Sequence, residues 1–424
     1  AKAAPPSPPV VDHDGPPVAV PPGTPPDSGG LNLVVSTSTP PPPAAQPAKP
    51  RRRWWRSVLL VTLVAVVLLG SVAGASVAGV LRAPGTDSTA ARLAEWGRDH
   101  GFDGLITWLE KKQYERNQPP TGGVPVGGIP QVGTVLPTPS GSFAEAGSPH
   151  PPAPLPPPPG IAPLPGEGQW ETVATVRGQP AVQVAHLRPD GEHTSFLVGV
   201  MWMDPTLVRG QLHPGFRDPG GTWRAGTSLS PAEQRTVAAV FNGGFRLGGA
   251  SHGGYYSEGR TGAPLVDGAA SLVLRTDGTA TVGAWNREVW MGPDVASVRQ
   301  NLVPLLDDGQ VNPTCRSGGS AEWGNTVGQV AFIDRSGFGV TADGGEVYVG
   351  GPALSVCTLG QILRASGVVR GMELDINPNW VSGAYFHPAP DGPPHAFQLF
   401  PDEQVPADHY LSPSSRDWYA FSLR

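Results

Sequence analysis

The sequence predicts a sheet-dominated α+β domain with few short helices, preceded by a single transmembrane helix and proline-rich disordered segments. Residues 57–81 carry no charge, which is typical of a membrane span. Of the 52 prolines, sixteen lie in residues 1–50 and sixteen in residues 119–167, where apolar side chains are too few to offset the entropy of ordering. From residue 168 onward, short β-rich runs are separated by turn pairs such as Asp277-Gly278 and Asp343-Gly344.

These patterns divide the 424 residues into five segments. We expect a proline-rich cytoplasmic tail (1–56), a transmembrane helix (57–81), juxtamembrane amphipathic helices (82–118), a Pro/Gly-rich linker (119–167) and one folded domain (168–424). The last segment is long enough to bury a substantial core. A net charge of −6 argues against nucleic acid as a partner.

The charges around residues 57–81 predict the orientation of the span. Its 25 residues are enough to cross about 30 Å of hydrocarbon as a tilted helix. Basic residues concentrate on the N-terminal side, at Lys49, Arg51, Arg52, Arg53 and Arg56, and only Arg82 follows closely. The positive-inside rule then predicts a single-pass plasma-membrane protein with its N-terminus in the cytoplasm and its C-terminal domain outside. A cleaved signal peptide is the competing interpretation, but signal peptides have short N-terminal regions.

The segments on either side of the span have simpler predictions. The tail contains the run "TPPPPAAQPAKPRRR", which suits a polyproline ligand for a cytoplasmic partner or a plain disordered anchor. After the span, apolar residues at Leu93, Trp96, Phe102, Leu105, Ile106, Trp108 and Leu109 predict two short helices meeting near Gly101. These helices are expected on the outer membrane surface, on the distal domain or against another chain, and the base of a stalk is favoured. Residues 119–167 are then a spacer between membrane and domain.

The cysteine and histidine patterns bear on disulfides and metals. The two cysteines, Cys315 and Cys357, both fall outside in this topology and are expected to pair. The ten histidines form neither an HxxxH nor an HExxH motif, so a zinc enzyme has little support, and no cofactor is expected. Oxygen atoms of Asp375, Glu373 and nearby asparagines also suit Ca²⁺ or Mg²⁺, which leaves that alternative open.

Two predicted helices inside the domain each lead into a strand with a polar end. A capping box at 230–233 opens a helix over "PAEQRTVAAV", and a second at 358–361 opens "LGQILRAS", which Gly367 ends. The following strands end in "FNGGF" (241–245) and "MELDIN" (372–377), and "RSGFGVTADG" (335–344) lies between them. On a strand, Glu373 and Asp375 alternate with a residue between them and therefore share a face.

The order of these three motifs resembles the phosphodiester glycosidase family, over roughly residues 170–424. Asn242, Gly243, Gly244 and Phe245 match one motif of that family. Further matches are Arg335, Ser336 and Gly339 in the second motif and Leu374 and Asp375 in the third. The resemblance implies a glycosidase that hydrolyses sugar-1-phosphodiester linkages of envelope glycans. Where the family has Gly-Gly-Gly-Ser, this chain has Ile376-Asn377-Pro378-Asn379, which removes backbone donors because proline has no N–H.

The chemistry of this hydrolysis assigns roles to candidate residues. Arg335 suits the phosphate because its guanidinium is planar and always charged. Asp375 or Glu373 suits activation of water or nucleophilic attack. The expected substrate contacts are Asn242, Gly243, Gly244, Phe245, Arg246, Ser336, Asn377, Asn379 and Trp380, with Trp380 or Tyr385 as a stacking face. The competing interpretation is that Arg335 or Arg370 only neutralises two half-buried acids. A non-catalytic glycan-binding or scaffold protein is the alternative function.

Overall fold

The computed structural model describes residues 52–132, 149–247, 251, 253–324, 331–389 and 392–424. Residues 1–51 of the predicted disordered tail and residues 133–148 of the predicted linker lie outside the described residues. The chain divides into two units, residues 1–66 and 67–424. The described residues of the first unit, 52–66, are helical, and the second unit holds every sheet described below.

In the part of the chain that the structure describes, three helices precede the sheets. The first, α1 (Arg52–Leu81), contains a stretch at Trp54–Leu81 that is long and apolar enough to cross a membrane. The next two, α2 (Thr89–Asp99) and α3 (Asp103–Arg116), meet at Gly101 as predicted. Gly101 has a φ of +80°, which favours glycine between the two helices. Ser88 caps α2 by accepting a hydrogen bond from the Ala91 N–H at 3.1 Å.

The described residues of the domain form three antiparallel sheets, which confirms the predicted sheet-dominated α+β class. Sheet 1 has the order β1 (Glu171–Val176), β2 (Gln179–Leu187), β3 (Val198–Met203), β14 (Glu346–Leu354), β13 (Ile333–Thr341), β15 (Val368–Glu373), β11 (Pro304–Asp307), β12 (Gln310–Val311). Sheet 2 has the order β7 (Arg260–Ala263), β6 (Tyr255–Ser257), β10 (Val295–Gln300), β8 (Ala270–Arg275), β9 (Ala280–Ala284). Sheet 3 has the order β17 (His395–Gln398), β16 (Gly383–His387), β5 (Val237–Asn242), β18 (Trp418–Leu423), β4 (Val208–His213).

The core lies where the faces of these sheets meet. Phe241 of β5 stacks on Tyr348 of β14 and Phe338 of β13, with ring centroids 4.6 and 5.4 Å apart. It also lies 5.3 Å from Tyr419 and 5.4 Å from Phe421 on the neighbouring strand β18. Aromatic rings at these separations add attraction to the burial of their area. This cluster holds the C-terminal end of β5 against sheet 1, and that end carries the first polar motif.

Within the described residues of the domain, two short α-helices lie between strands: α4 (Ser320–Trp323) precedes β13, and α5 (Val356–Ala365) connects β14 to β15. The cap of α5 is Ser355, not Thr358 as predicted, and Ser355 Oγ accepts from the Thr358 N–H at 3.1 Å. Gly367, with a φ of +83°, follows the end of α5 as predicted. The predicted Cys315–Cys357 disulfide is confirmed, with a Cα–Cα distance of 5.0 Å.

The predicted helix over 231–240 is wrong. Its capping box forms, because Glu233 Oε2 accepts from the Ser230 N–H at 2.7 Å. Only one 3₁₀ turn follows, Glu233–Arg235, and β5 begins at Val237. Strand β5 is buried along its length and pairs with β16 on one side and β18 on the other. Pairing on both sides outweighs the local helical preference.

The predicted spacer is also wrong for the part of it that the structure describes. Leu155 is 2% exposed, and its N–H donates to the Gly168 carbonyl at 2.8 Å. The Glu167 carboxylate forms a buried ion pair with Arg188 at 2.7 Å. Val132 is buried as well, and its N–H donates to the side chain of Glu171 at 2.8 Å. Residues 149–167 and the end of 119–132 therefore pack on the domain, because their few apolar residues find places in its core.

Candidate active site

Three polar strand ends meet at the hydroxyl of Ser336. Ser336 Oγ accepts a hydrogen bond from Asn242 Nδ2 at 3.0 Å and another from the Asp375 N–H at 3.1 Å. Asn242 ends β5, Ser336 lies in β13, and Asp375 follows β15, which pairs with β13. The structure therefore brings together one residue from each of the three motifs singled out in the sequence.

The side chain of Asn242 is fully occupied by the protein. Its Oδ1 accepts from the Tyr348 hydroxyl at 2.8 Å and from the Ser382 N–H at 3.1 Å. Its Nδ2 donates to the Gly243 carbonyl at 2.7 Å and to Ser336. A carboxamide has two donors and two acceptor sites, so these four bonds use its whole capacity. Asn242 therefore joins the strand ends, and its side chain has no hydrogen bond left for the predicted substrate.

Asp375 lies just past the end of β15, with its carboxylate facing a small cavity. Its Oδ1 accepts from the N–H groups of Ile376 and Asn377, at 2.7 and 3.0 Å. Its Oδ2 lies 3.3 Å from Nη2 of Arg416. Burial raises the pKa of the Asp375 carboxyl above its ordinary value, while Arg416 and the two backbone donors oppose that rise. The carboxylate is thus held in place at the site with one oxygen next to a cation.

Arg416 is the functional candidate that the sequence analysis missed. It lies two residues before β18, in the run "SSRDW", which matches no motif. Its side chain lines the same cavity as Asp375 and lies over the ring of Trp380, 4.8 Å from the centroid. The residue is 9% exposed, and its Nε and Nη1 atoms are buried without a hydrogen-bond acceptor. Such donors are costly to bury unless a ligand or water accepts from them.

The cavity itself has a volume of about 10 Å³, which is room for about one water molecule. It is lined by Asn242, Gly243, Gly244, Asp375, Asn379, Trp380, Ser382, Val405, His409, Tyr410, Ser414, Arg416 and Asp417. Of the predicted substrate contacts, Asn242, Gly243, Gly244, Asn379 and Trp380 are in this set. The same cavity contains Asp375 but neither Glu373 nor Arg335.

Residues 82–116, which include α2 and α3 and are called here the covering segment, lie over the rim of this cavity. Ser88 Oγ donates to Asn379 Oδ1 at 2.7 Å. Thr86 contacts the ring of His409 through its hydroxyl. Gly85 passes so close to Pro413 that an added Cβ would lie 2.1 Å from its carbonyl oxygen. Of the three positions considered for these helices, the structure shows docking on the domain.

Acidic residues of the covering segment bind the arginines of the site. The Glu95 carboxylate, 5% exposed, lies 3.6 Å from Arg416 and 3.4 Å from Arg246. Asp99, one turn further along α2, forms ion pairs with Arg246 and Arg217. The predicted substrate contact Arg246 is therefore occupied by the protein's own carboxylates. Carboxylates of the covering segment therefore neutralise the arginines at the rim of the cavity.

Arg335 and Glu373 do not fit the roles predicted for them. Both are buried, and Nη1 of Arg335 lies 2.6 Å from Oε1 of Glu373. Arg335 Nε also donates to the Leu354 carbonyl at 2.8 Å. Burial raises the pKa of Glu373 to about 7, and the Arg335 charge opposes the rise. The competing interpretation, in which Arg335 neutralises a buried acid, matches this geometry. Strand β15 ends at Glu373, so Asp375 lies beyond the strand. The alternation of side chains along a strand, which predicted that Glu373 and Asp375 share a face, therefore does not apply to Asp375.

The remaining predicted residues act mainly through packing. An added Cβ on Gly243 would lie 2.4 Å from Asp417, which is itself paired with Arg299 at 2.6 Å in the core. The backbone of Phe245 donates to the side chain of Asn301 at 3.1 Å, away from the cavity lining. Ser336 joins the strand ends, and Asn377 Oδ1 accepts from the Asn379 N–H at 3.0 Å. Tyr385 stacks on Phe397, 5.3 Å away, and does not line the cavity.

Within the described residues, no group of three or more His, Cys, Asp or Glu side chains is arranged to hold a metal ion.

Comparison with known proteins gives weak similarities. No protein-family model matches the chain, and no curated protein matches it. Among solved structures, it is similar to the catalytic domain of zebrafish N-acetylglucosamine-1-phosphodiester alpha-N-acetylglucosaminidase, auto-inhibited by its pro-peptide. The identity is 12% over 60% of this chain and 87% of that chain, with a TM-score of 0.39. It is also similar to a hypothetical protein from Synechocystis, with 11% identity over 60% of this chain and 64% of that chain, and a TM-score of 0.33. At these values the similarity supports no inference about activity.

Proposed function

We propose that the chain is a membrane-anchored hydrolase that cleaves sugar-1-phosphodiester linkages of envelope glycans outside the plasma membrane. The observation that carries the proposal is the pairing of Asp375 with Arg416 at 3.3 Å in one buried cavity at the strand ends. A carboxylate beside an arginine with unused donors supplies both groups that the reaction needs. No cofactor is part of this proposal.

Arg416 replaces Arg335 as the phosphate-binding residue in this mechanism. Its Nε atom has no acceptor among the described residues, and its Nη1 atom faces only the Glu95 carboxylate, 3.6 Å away, so Nε and, in place of Glu95, Nη1 can donate to an anionic phosphodiester. The ring of Trp380 lies against the Arg416 guanidinium and fixes its orientation. Asn379 lines the cavity beside them. Its Oδ1 accepts from Ser88 and its Nδ2 donates one hydrogen to Asn377, which leaves the second Nδ2 hydrogen for the sugar.

Asp375 accepts the proton of the attacking water. Water attacks the anomeric carbon, the bond between this carbon and the phosphate oxygen breaks, and its electron pair leaves with the phosphate ester. The phosphate is a good leaving group, so no second carboxylate is needed to protonate it. The two backbone bonds to Oδ1 leave Oδ2 as the oxygen that faces Arg416 and the water. Arg416 stabilises the charge that develops on the leaving oxygen.

Turnover by the full chain in detergent, measured on a panel of chromogenic sugar-1-phosphodiesters, tests this proposal. Asp375→Asn is expected to abolish turnover with the thermal midpoint unchanged or raised, because the acid is buried in the free protein. Arg416→Lys is expected to raise KM most, since it loses the fork geometry. Asp408→Asn, an exposed acid near the site but outside the cavity lining, is the matched control. Equal loss of folded protein and activity in Asp375→Asn contradicts a catalytic role.

A non-catalytic glycan-binding protein is the second candidate, favoured by one feature of the loop after β15. The N–H groups of Ile376 and Asn377 bind the chain's own Asp375. They are not free to bind a substrate oxyanion, and Pro378 has no N–H to add. Binding of the same sugar-1-phosphodiesters without turnover by the wild-type chain supports this candidate and contradicts the hydrolase.

The membrane anchor is part of the same proposal, since α1 has the length and composition of a span. The proposed topology places residues 1–56 in the cytoplasm and 168–424 outside, and leaves the proline-rich tail free to bind a cytoplasmic partner. Protease added to intact cells is then expected to degrade the C-terminal domain while an epitope placed at the N-terminus stays protected. Protection of the C-terminal domain contradicts this orientation.

A further inference from the structure

The covering segment carries an apolar face that no other described part of the chain buries. Its members are exposed by 39–54%: Leu93, Phe102, Leu105, Trp108 and Leu109. They lie on α2, on α3 and at the junction between them. The opposite side of the segment carries Glu95 and Glu110, which face the domain. Large apolar side chains grouped on one face and acids on the other indicate a contact with an apolar partner.

This apolar face continues from the last turns of α1. Trp96 Nε1 donates to Ser76 Oγ at 2.9 Å, and Phe102 stacks on Trp96 with ring centroids 6.2 Å apart. Ser76 lies within the stretch that is apolar enough to cross a membrane, five residues before Leu81, or about 7.5 Å along the helix. For a membrane span that ends at Leu81, Trp96 and Phe102 therefore lie at the depth of the bilayer interface. Aromatic side chains are enriched at that depth.

The connection between α1 and the cavity is short. Seven Cα–Cα steps separate Leu81 from Ser88, which limits their distance to about 25 Å. Arg92 folds this connection more tightly, since its guanidinium donates to the carbonyls of Leu81 and Gly85 at 3.3 and 2.7 Å. Ser88 in turn donates to Asn379, a residue of the cavity lining. The cavity is therefore held close to the end of the span.

We propose that the apolar face of the covering segment lies in the outer leaflet and that the site takes a sugar-1-phosphodiester whose aglycone is a membrane lipid. This inference rests on the proposed hydrolase and its anchor. A phosphate that links a sugar to a lipid lies at the headgroup level, which is where these contacts place Arg416 and Asp375. The hydrolysis releases the sugar to the aqueous phase and leaves the lipid phosphate in the bilayer.

The membrane contact is tested on the full chain in liposomes. The two native cysteines form a disulfide, so one added cysteine carries a nitroxide label. For a label at Trp108→Cys, oxygen is expected to enhance the relaxation of the nitroxide several-fold more than a water-soluble nickel chelate does. A label at Asp308→Cys, in the exposed turn between β11 and β12, is expected to show the reverse. Equal nickel accessibility at the two positions overturns the contact with the bilayer.

The substrate class is tested with two substrates that share one sugar phosphate, one with a long-chain lipid and the other with a short soluble alkyl group. Wild-type protein in liposomes is expected to hydrolyse the lipid-linked substrate at least tenfold faster. The double variant Leu105→Glu/Trp108→Glu is expected to lose this preference and to keep the rate on the soluble substrate, which shows that it is folded.

Equal rates on the two substrates in wild-type protein overturn the lipid-linked class and leave the proposed hydrolase standing. No turnover of either substrate contradicts the proposed hydrolase and, with it, the substrate class. The nitroxide measurement at Trp108 decides the membrane contact in both cases, because it needs no activity. A lipid preference that persists in the double variant shows that the apolar face does not produce it and overturns the proposal.

Discussion

Replacing Glu95 with glutamine tests whether the covering segment competes with an anionic substrate. The Glu95 carboxylate lies 3.6 Å from Arg416 and 3.4 Å from Arg246 and is 5% exposed. Glutamine has the same shape but no charge, so the two arginines lose one partner and α2 loses part of its hold on the domain. The expected result is a higher affinity for phosphate-bearing ligands.

The magnitude follows from the energy of a buried ion pair. Removing one partner of such a pair costs about 3–5 kcal/mol when the other charge stays buried. The pairs of Asp99 with Arg246 and Arg217 remain, and Arg416 keeps Asp375, so the loss in docking of the covering segment is taken as about 2 kcal/mol. This corresponds to a gain of about 30-fold in apparent affinity, because the binding-competent form becomes that much more populated.

The assay is isothermal titration of the full chain with inorganic phosphate, together with kcat/KM on a soluble sugar-1-phosphodiester. Glu115→Gln is the matched control, since Glu115 lies on α3 in the same segment and pairs only with the exposed Lys112 among the described residues. It is expected to leave both quantities unchanged. A Glu95→Gln variant with unchanged or weaker phosphate binding refutes the reasoning and makes Glu95 a part of the binding surface.

Three further changes test the fold. Burial raises the pKa of Glu346 to about 8, so the folded state keeps a proton that the unfolded chain releases above about pH 4.5. The free energy of unfolding should therefore fall between pH 4.5 and 8. Glu346→Gln should make this fall smaller, and the buried Glu373, whose pKa is also raised, accounts for part of what remains. Denaturation curves of the two proteins with the same pH dependence would contradict this. The double variant Cys315→Ala/Cys357→Ala should lower the free energy of unfolding by up to about 4 kcal/mol, since the disulfide closes a long loop. An unchanged unfolding midpoint would show that the disulfide does not stabilise the fold. Arg335→Met should lower the free energy of unfolding by about 3–5 kcal/mol, because it leaves the Glu373 carboxylate buried without its partner, and Arg335→Met/Glu373→Met should lower it much less. A stable Arg335→Met variant that no longer binds phosphate would instead show that Arg335 binds the substrate.

Local features were predictable from the sequence because they depend on neighbouring residues. The apolar run of α1 and the meeting of α2 and α3 at Gly101 follow from composition and periodicity over short windows. The strands of the domain follow in the same way from alternation and turn pairs. The disulfide was predictable because Cys315 and Cys357 are the only cysteines. Three polar strand ends in one small domain predicted a site shared by Asn242, Arg335, Glu373 and Asp375. The structure brings Asn242 and Asp375 together through Ser336 and leaves Arg335 and Glu373 outside the cavity lining.

The tertiary structure decided which charges face each other. Arg416 follows no motif, and only the packing of β18 beside β5 places it against Asp375, 41 residues away in sequence. The same packing buries Arg335 with Glu373 and leaves it out of the cavity. Residues 231–240 have a helical start, yet the two flanking strands draw residues 237–240 into strand β5.

The position of the covering segment was also decided by tertiary contacts. Its amphipathic pattern suited a membrane, the domain or another chain equally well, because periodicity shows that a face is apolar but not what it contacts. Ser88 and Glu95 bind Asn379 and Arg416, which lie about 300 residues further along the chain. Contacts of this kind depend on how distant strands are arranged in space, and no local pattern of residues records that arrangement.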